Sequence, residues 1–231
     1  MDLKQEIIKK FDLKKRLVIG FANLSQLPEN NRRGYKYGIS IGIGLKMTAV
    51  LNINKIPNTV YFEEYQEVNK ILDNVAEFTS DLIKEYGYDA YPVCRKNIHV
   101  DKKTRRSELP VKTLATLAGL GWIGKCALLV TKEFGTAVRY AGVLTDAEFD
   151  TGLPVTASAC GDCRECQKIC QGNAVSGKNW QINMDRDYFF DAHKCRDNIK
   201  TRRIQLYNDE RNVTCGLCIA ACPWTKKYLR N

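Results

Sequence analysis

Apolar positions over 58–86 recur at spacings of three and four: Tyr65, Val68, Ile71, Leu72, Val75, Phe78, Leu82 and Ile83. That period predicts a long amphipathic helix. Asn58 or Thr59 can cap its start and Gly87 can end it. A shorter helix is predicted over 2–15, with Ile7, Ile8, Phe11 and Leu13 on or near one face. Another is predicted over 107–118, where Pro110 suits the first turn, Val111, Leu114, Ala115 and Ala118 share a face, and Gly119 follows as a stop. Strand patterns run over 16–24 (Leu17, Val18, Ile19, Phe21) and 35–45, where Ile39, Ile41 and Ile43 alternate with glycine and serine. Gly38, Gly42 and Gly44 predict a bent strand packed closely against a helix. A short strand is expected over 88–94, and two more over 127–131 and 137–144 with Phe134-Gly135-Thr136 at their turn. Beyond about residue 155 the periodicity gives way to a loop-rich, cysteine-rich segment. The pattern is α+β, in two parts: 1–155 and 156–231.

With 231 residues and 44% apolar content, the chain can bury a sizeable core. No run of about 18 apolar residues is present, which argues against a membrane span. The N-terminus is charged and lacks an apolar signal core, so the expected compartment is the cytoplasm. Ten cysteines in that compartment favour a metal centre over disulfides.

Cys160, Cys163, Cys166 and Cys170 are spaced C-x2-C-x2-C-x3-C, and Cys215, Cys218 and Cys222 follow as C-x2-C-x3-C before Pro223. The first run is the bacterial two-cluster ferredoxin pattern, in which the fourth cysteine ligates the other cluster. Two-residue gaps let one tight loop offer three thiolates to three iron corners, so the fourth must come from elsewhere. Cluster one is then expected on Cys160, Cys163, Cys166 and Cys222. Cluster two takes Cys170, Cys215 and Cys218, and lacks one thiolate. Cys195, the remaining cysteine of this half, is assigned to it. Zinc is the competing ion, but its sites are usually built from two separated pairs. Gln171 departs from the proline that often follows the fourth cysteine, without removing a ligand.

Two 4Fe-4S clusters also change the reading of charge. The formal net charge is +10, with basic residues gathered at Arg95, Lys96, Lys102, Lys103, Arg105 and Arg106 and around Lys200, Arg202 and Arg203. Each four-thiolate cluster carries about −2, leaving roughly +6. A solvated basic surface and a site for an acidic partner both fit that balance. Cys94 and Cys126 read as buried small hydrophobes, with a redox thiol or ligand as the alternative. His193, two residues from Cys195, could tune cluster two through a hydrogen bond.

Gly119-Leu120-Gly121-Trp122-Ile123-Gly124 matches G-x-G-x-x-G. A helix precedes it and a strand follows, the reverse of a dinucleotide site, so that reading is rejected. What survives is a tight loop carrying Trp122, either a packing turn or one wall of a flat-cofactor pocket.

The stretch Thr113 to Lys125 with Ala127-Leu128-Leu129, together with Val143-Leu144-Thr145-Asp146, Asp191-Ala192-His193-Lys194-Cys195 and the two cysteine runs, closely resembles the epoxyqueuosine reductase family, which is related to reductive dehalogenases. The segment Tyr61 to Asn69 looks like the same segment in short members of that family. The resemblance implies a nitroreductase-like, corrinoid-binding α/β domain over 1–155 and a ferredoxin-like double 4Fe-4S domain over 156–231. It implies a cobalamin fed electrons by cluster one, with Gly119, Gly121, Trp122 and Gly124 in its pocket, and a low-potential donor of ferredoxin or flavodoxin type. Two features depart from the family. Its Asp-Ser-Ala-Pro stretch, whose aspartate is the proton donor, is absent: counting back from Ala118 lands near Arg105, with Asp101 and Glu108 the nearest acids. The chain also ends at Asn231, soon after Cys222-Pro223-Trp224, where relatives continue into a helical region that helps hold tRNA.

Three functions compete. One is an iron–sulfur, cobalamin-dependent reductase. The second is an electron-transfer protein that reduces or reactivates a partner's corrinoid or redox centre without turnover of its own. The third, resting on charge alone, is a tRNA-binding protein with structural clusters. The catalytic residues, the substrate and the oligomeric state are not specified by these patterns.

Overall fold

The computed structural model describes residues 2–11, 16–53, 59–207 and 214–230. Leu13, Lys15 and Asn58 lie outside them. The described chain groups into two compact units, one of 1–44, 67–121 and 139–155, the other of 45–66, 122–138 and 156–231. Two segments from the first two-thirds of the chain therefore pack with the cysteine-rich part.

The first unit holds a four-stranded sheet in the order β1-β2-β6-β3. Its strands are β1 (Leu17–Asn23), β2 (Tyr37–Gly44), β3 (Ala90–Val93) and β6 (Val138–Thr145). β1 pairs antiparallel with β2, and β3 with β6. Helix α4 (Val111–Leu117) lies on this sheet. A Cβ on Gly38 of β2 would come within 2.7 Å of Leu114 Cδ1, and one on Gly142 of β6 would overlap the same leucine. The glycines therefore form a seat for Leu114, and the expected close packing of this strand against a helix holds at Gly38. Leu114 is fully buried, in a core with Ala22, Leu24, Val93, Leu117 and Leu144. Gly119 ends the helix at φ +76, the left-handed conformation that glycine adopts without penalty.

Helix α1 covers Leu3–Phe11 and α3 covers Thr59–Glu85. Gly87, at φ +85, ends α3 as expected. Its buried face matches the expected one at Val68, Leu72, Leu82 and Ile83 and departs from it elsewhere. Ile71 and Phe78 are 42% and 45% exposed, while Glu64, Asn69, Thr79 and Ser80 are buried. The polar groups are tolerated because they find partners. Thr79 Oγ1 donates to Val75 O at 2.7 Å and Ser80 Oγ to Ala90 O at 3.1 Å. Glu64 accepts from the Lys46 backbone N–H at 2.8 Å and pairs with its ammonium at 3.1 Å. Phe78 meets Phe11 edge-on at 6.3 Å.

In the second unit the short strands β4 (Trp122–Ile123) and β5 (Leu129–Val130) form an antiparallel pair. Both expected strands form, within 127–131 and at 138–145, but they do not pair with each other: β5 returns on β4, and β6 joins the larger sheet. The cause is the tight turn between them. Gly124 N donates to Leu128 O and Ala127 N to Gly124 O, both at 2.8 Å, with Ala127 at φ 56. The Phe134-Gly135-Thr136 turn does form, closed by Thr131 and Gly135 exchanging N–H···O bonds at 2.9 and 3.0 Å. The cysteine-rich region, read as loops, contains α5 (Glu165–Lys168), α6 (Ala192–Tyr207), α7 (Leu217–Ala221) and α8 (Pro223–Tyr228). A further helix, α2 (Met47–Leu51), also went unread.

α8 is fixed to the 134–136 turn at several points. Thr136 N donates to Thr225 Oγ1 at 3.0 Å, and a Cβ on Gly135 would overlap the Thr225 backbone. Phe134 stands edge-on to Tyr228 at 5.2 Å, and the Tyr228 hydroxyl donates to Leu45 O at 2.8 Å. No helix among the described residues is long and apolar enough to cross a membrane.

Candidate metal centre

The first cysteine run begins as a tight turn. Cys163 N donates to Cys160 O at 3.1 Å, with Gly161 between them at φ +51. Cys166 rides on α5, and Cys170 follows it. The second run spans α7: Cys215 precedes it, Gly216 opens it at φ 76, Cys218 lies on it and Cys222 ends it. Pro223 occupies the first turn of α8, where its missing N–H costs nothing.

Folding brings Cys160, Cys163, Cys166 and Cys222 around one cavity of about 110 Å³, whose wall also includes Lys125, Cys126 and Trp224. The Trp122 indole N–H donates to Cys160 Sγ at 3.4 Å, and Trp122 packs edge-on to Trp224 at 5.0 Å. Lys125 is 3% exposed, and its ammonium donates to Gly161 O at 2.7 Å and Cys163 O at 2.9 Å. Both partners are uncharged carbonyls. A buried cation without a counter-charge is costly, and a net-negative group in the adjoining cavity would supply one.

The other cysteines gather separately. Burial pushes the Cys195 thiol up to about 11, with Cys215, Cys170 and Asp191 adding to the shift. Ala174 N donates to Cys170 Sγ at 3.3 Å. Asp191 caps α6 by accepting from His193 N at 3.0 Å and Lys194 N at 2.9 Å. Those contacts involve the His193 backbone N–H.

Cys126 is 4% exposed and contacts both Cys166 and Cys218. The Cys166 hydrogen bond draws the Cys126 thiol down, but that of Cys218 and burial outweigh it, and the net shift is well upward. The Cys166 thiol is raised by Cys126 and by burial. Burial likewise raises the Cys222 thiol, against hydrogen bonds to Thr225, Trp224 and Thr136 that lower it. Cys94 is buried apart from the cavity wall, with its thiol raised by burial.

Among the described residues no three Cys, His, Asp or Glu side chains converge closely enough to hold a single metal ion. In the glycine motif, a Cβ on Gly119 would approach Leu153 O at 2.8 Å and one on Gly124 would approach Val130 Cγ2 at 2.9 Å. Both close approaches are made to the chain itself. Lys125 and Trp122 were not expected beside the cysteines, and Cys126 only under the alternative that made it a ligand or redox thiol. The sequence signal for Trp122 was its place in the glycine motif, and Lys125 directly follows that motif.

Residues 159–225 match the family described as a 4Fe-4S double cluster binding domain. This segment thus matches the double-cluster class of iron–sulfur domains. The chain is also a relative of the epoxyqueuosine reductases. One from Cellulophaga algicola is 30% identical over 185 residues, covering 74% of this chain and 52% of that protein. The chain spans about half or less of the length of such curated relatives. In fold it is similar to an epoxyqueuosine reductase solved with a tRNA-Tyr epoxyqueuosine-modified stem loop, at TM-score 0.60 and 18% identity over 97% of this chain and 65% of that one. It is similar also to a reductive dehalogenase whose structure is described as suggesting a mechanism for B12-dependent dehalogenation, at TM-score 0.67 and 16% identity over 92% and 31%.

Proposed function

We propose that the chain is an iron–sulfur oxidoreductase that accepts low-potential electrons from a ferredoxin- or flavodoxin-type donor and passes them one at a time to a corrinoid or a bound substrate. Cluster one is held by Cys160, Cys163, Cys166 and Cys222, and cluster two by Cys170, Cys195, Cys215 and Cys218. The observation that carries this reading is the shared cavity, where three cysteines of one run meet a fourth about 56 positions further on, as the two-cluster rule requires. The charge interaction of Cys195 with Cys215 and Cys170 supports the second set. Four-thiolate clusters reach potentials several hundred millivolts negative, which suits one-electron reduction of a difficult acceptor.

The corrinoid is the finer part of the reading. A nitroreductase-like domain over 1–155 would carry it, with Gly119, Gly121, Trp122 and Gly124 in the pocket and the cluster domain over 156–231 as its electron source. Of these residues Trp122 fits best, because its indole already hydrogen-bonds a cluster-one cysteine. The close approaches at Gly119 and Gly124 are taken up by Leu153 and Val130, so those two glycines serve the turn. A corrinoid would supply the two-electron reducing centre that the clusters lack. The test is to add cobalamin to the reduced protein under anaerobic conditions. Retention through gel filtration, with conversion of its visible spectrum to the fully reduced form, is expected. Absence of both retention and conversion would contradict the corrinoid assignment.

A second reading is an electron-transfer protein serving a partner's corrinoid or redox centre, and one local feature favours it. No acid in 101–108 is presented as a proton donor. The Asp101 carboxyl is held below the usual range by hydrogen bonds from the Thr104 hydroxyl and backbone N–H. Glu108 pairs with Arg33 at 3.0 Å. Electron flow from the reduced clusters to a separate corrinoid protein, with no turnover by the isolated chain, would distinguish this reading. A tRNA substrate, suggested by the relatives, would show as binding with a steep salt dependence.

A further inference from the structure

We propose that Lys125 sets the potential of cluster one. It does so as a positioning residue, by holding a buried positive charge against the cluster and tying down the loop that carries two of its ligands. The inference rests on the cysteine assignment above and extends it to a residue that is not a ligand.

Three observations carry it. Lys125 is buried to 3% exposure, unusual for lysine, and both of its hydrogen-bond partners are backbone carbonyls. Those carbonyls belong to Gly161 and Cys163, in the turn that presents Cys160 and Cys163. The lysine also lines the same cavity as all four cluster-one cysteines. The carbonyls occupy two of the three ammonium N–H directions, but they do not neutralise the charge. A tetrathiolate 4Fe-4S cluster carries about −2 when oxidised and about −3 when reduced. A fixed cation in a low-dielectric wall stabilises the second state more than the first, because the attraction scales with the product of the charges. One electron enters the cluster and no bond at Lys125 changes. The reduction equilibrium therefore shifts toward the reduced form. The Trp122 N–H donated to Cys160 Sγ acts in the same direction, since hydrogen bonds to cluster sulfurs raise the potential.

At Cys195 of the other set the acting side-chain charge is acidic. Asp191 is among the groups acting on Cys195. It is partly screened, because it caps α6 and has the Lys194 ammonium 3.8 Å away. Lys125 is the charged side chain on the wall of the cluster-one cavity. The arrangement makes cluster one the more easily reduced of the two, so an electron entering at cluster two runs downhill to it.

The test is a potentiometric titration, followed by electron paramagnetic resonance, of anaerobically reconstituted full-length protein and three variants, with iron counted in each. Lys125→Met removes the charge at similar length. Lys125→Gln removes it but keeps an N–H donor for the loop. Lys125→Arg keeps both. The two neutral variants should retain about eight irons and show one of the two waves shifted to a roughly tenfold weaker reduction equilibrium, ~59 mV for one electron. The other wave should stay within about twofold, and Lys125→Arg should titrate like the parent. Overturning results are an unmoved pair of waves in iron-replete neutral variants, an equal shift of both waves, or the same shift in Lys125→Arg. Loss of about four irons in both neutral variants would make Lys125 a loop-holding residue alone and overturn the potential-setting role. Failure of the parent protein to take up about eight irons would count against the cluster assignment itself.

Discussion

At the scale of single residues the cysteine chemistry was the most readable feature. Ligand spacing is a local property: Cys160, Cys163 and Cys166, with two residues between neighbours, can reach three corners of one cube from one loop, whatever the rest of the chain does. The groups that surround the ligands obey no such rule. Trp122 reaches Cys160 across 38 positions, and Lys125 reaches Cys163 across 38. Their roles come from tertiary placement. Cys126, read as a small buried hydrophobe, is buried, but against the sulfurs of Cys166 and Cys218.

The ligand scheme makes a direct residue-scale prediction. Cys195→Ala should leave about four irons and the spectrum of a single cluster, and removal of neither cluster would place the eighth ligand elsewhere. A second prediction concerns Asp101. Its pKa is lowered in the folded chain by the Thr104 hydrogen bonds. The stabilisation is thus present above the unfolded value of about 3.9 and is lost as pH falls through the lower folded value. Amide exchange in the 101–106 turn should quicken over that acid range. Asp101→Asn should remove the acid-dependent component, and an unchanged pH profile in the variant would refute the assignment. The same side chain, fixed as an ionised turn acid, should be dispensable as a proton donor.

Among the elements, legibility depended on how far each one's fate was decided by its own sequence. The stop at Gly87 and the strand-to-helix contact at Gly38 were readable because glycine has few other reasons to be there. The buried stripe of α3 was readable only in part, at Val68, Leu72, Leu82 and Ile83. Ile71 and Phe78 fit the helical period yet remain exposed, while Glu64, Asn69, Thr79 and Ser80 are buried with partners that no periodicity reveals. The pairing of β5 with β4 was missed because the turn at 124–127 relies on Ala127 at φ 56, a conformation that alanine rarely signals. The seat of α4 can be probed by Gly142→Ala, whose methyl would overlap Leu114 Cδ2 and lie 2.9 Å from Ile39 O. Overpacking of this kind should cost about 1–3 kcal/mol, read as a lower denaturation midpoint at unchanged m-value. Leu114→Ala at the same contact should cost about 2–5 kcal/mol. The double variant should lose less than the sum, because the new methyl fills part of the space vacated. Additive losses would show that the two residues are not in contact.

For the molecule as a whole, the cysteine runs, the mixed helix and sheet and the relationship to the epoxyqueuosine reductases were all visible in the chain. The interleaving of the two units was not. Segments 45–66 and 122–138 join the cysteine-rich unit through contacts such as Tyr228 to Leu45, Thr225 to Thr136 and Lys125 to Gly161, each linking positions far apart in sequence. A boundary drawn by composition follows where the cysteines begin, whereas a boundary drawn by packing follows where side chains meet. The consequence for function is that part of the wall around cluster one is supplied by 122–138, so the cysteine-rich segment 156–231 does not by itself contain Lys125, Cys126 or Trp122.

The central claim is that this fold holds two 4Fe-4S clusters competent for one-electron transfer. Iron and acid-labile sulfide can be quantified on anaerobically purified full-length protein alongside electron paramagnetic resonance of the dithionite-reduced sample. The account predicts about eight irons and eight sulfides per chain, with the broadened signal of two interacting reduced clusters. One or two zinc ions in place of iron, or about four irons with a single isolated signal, would contradict it.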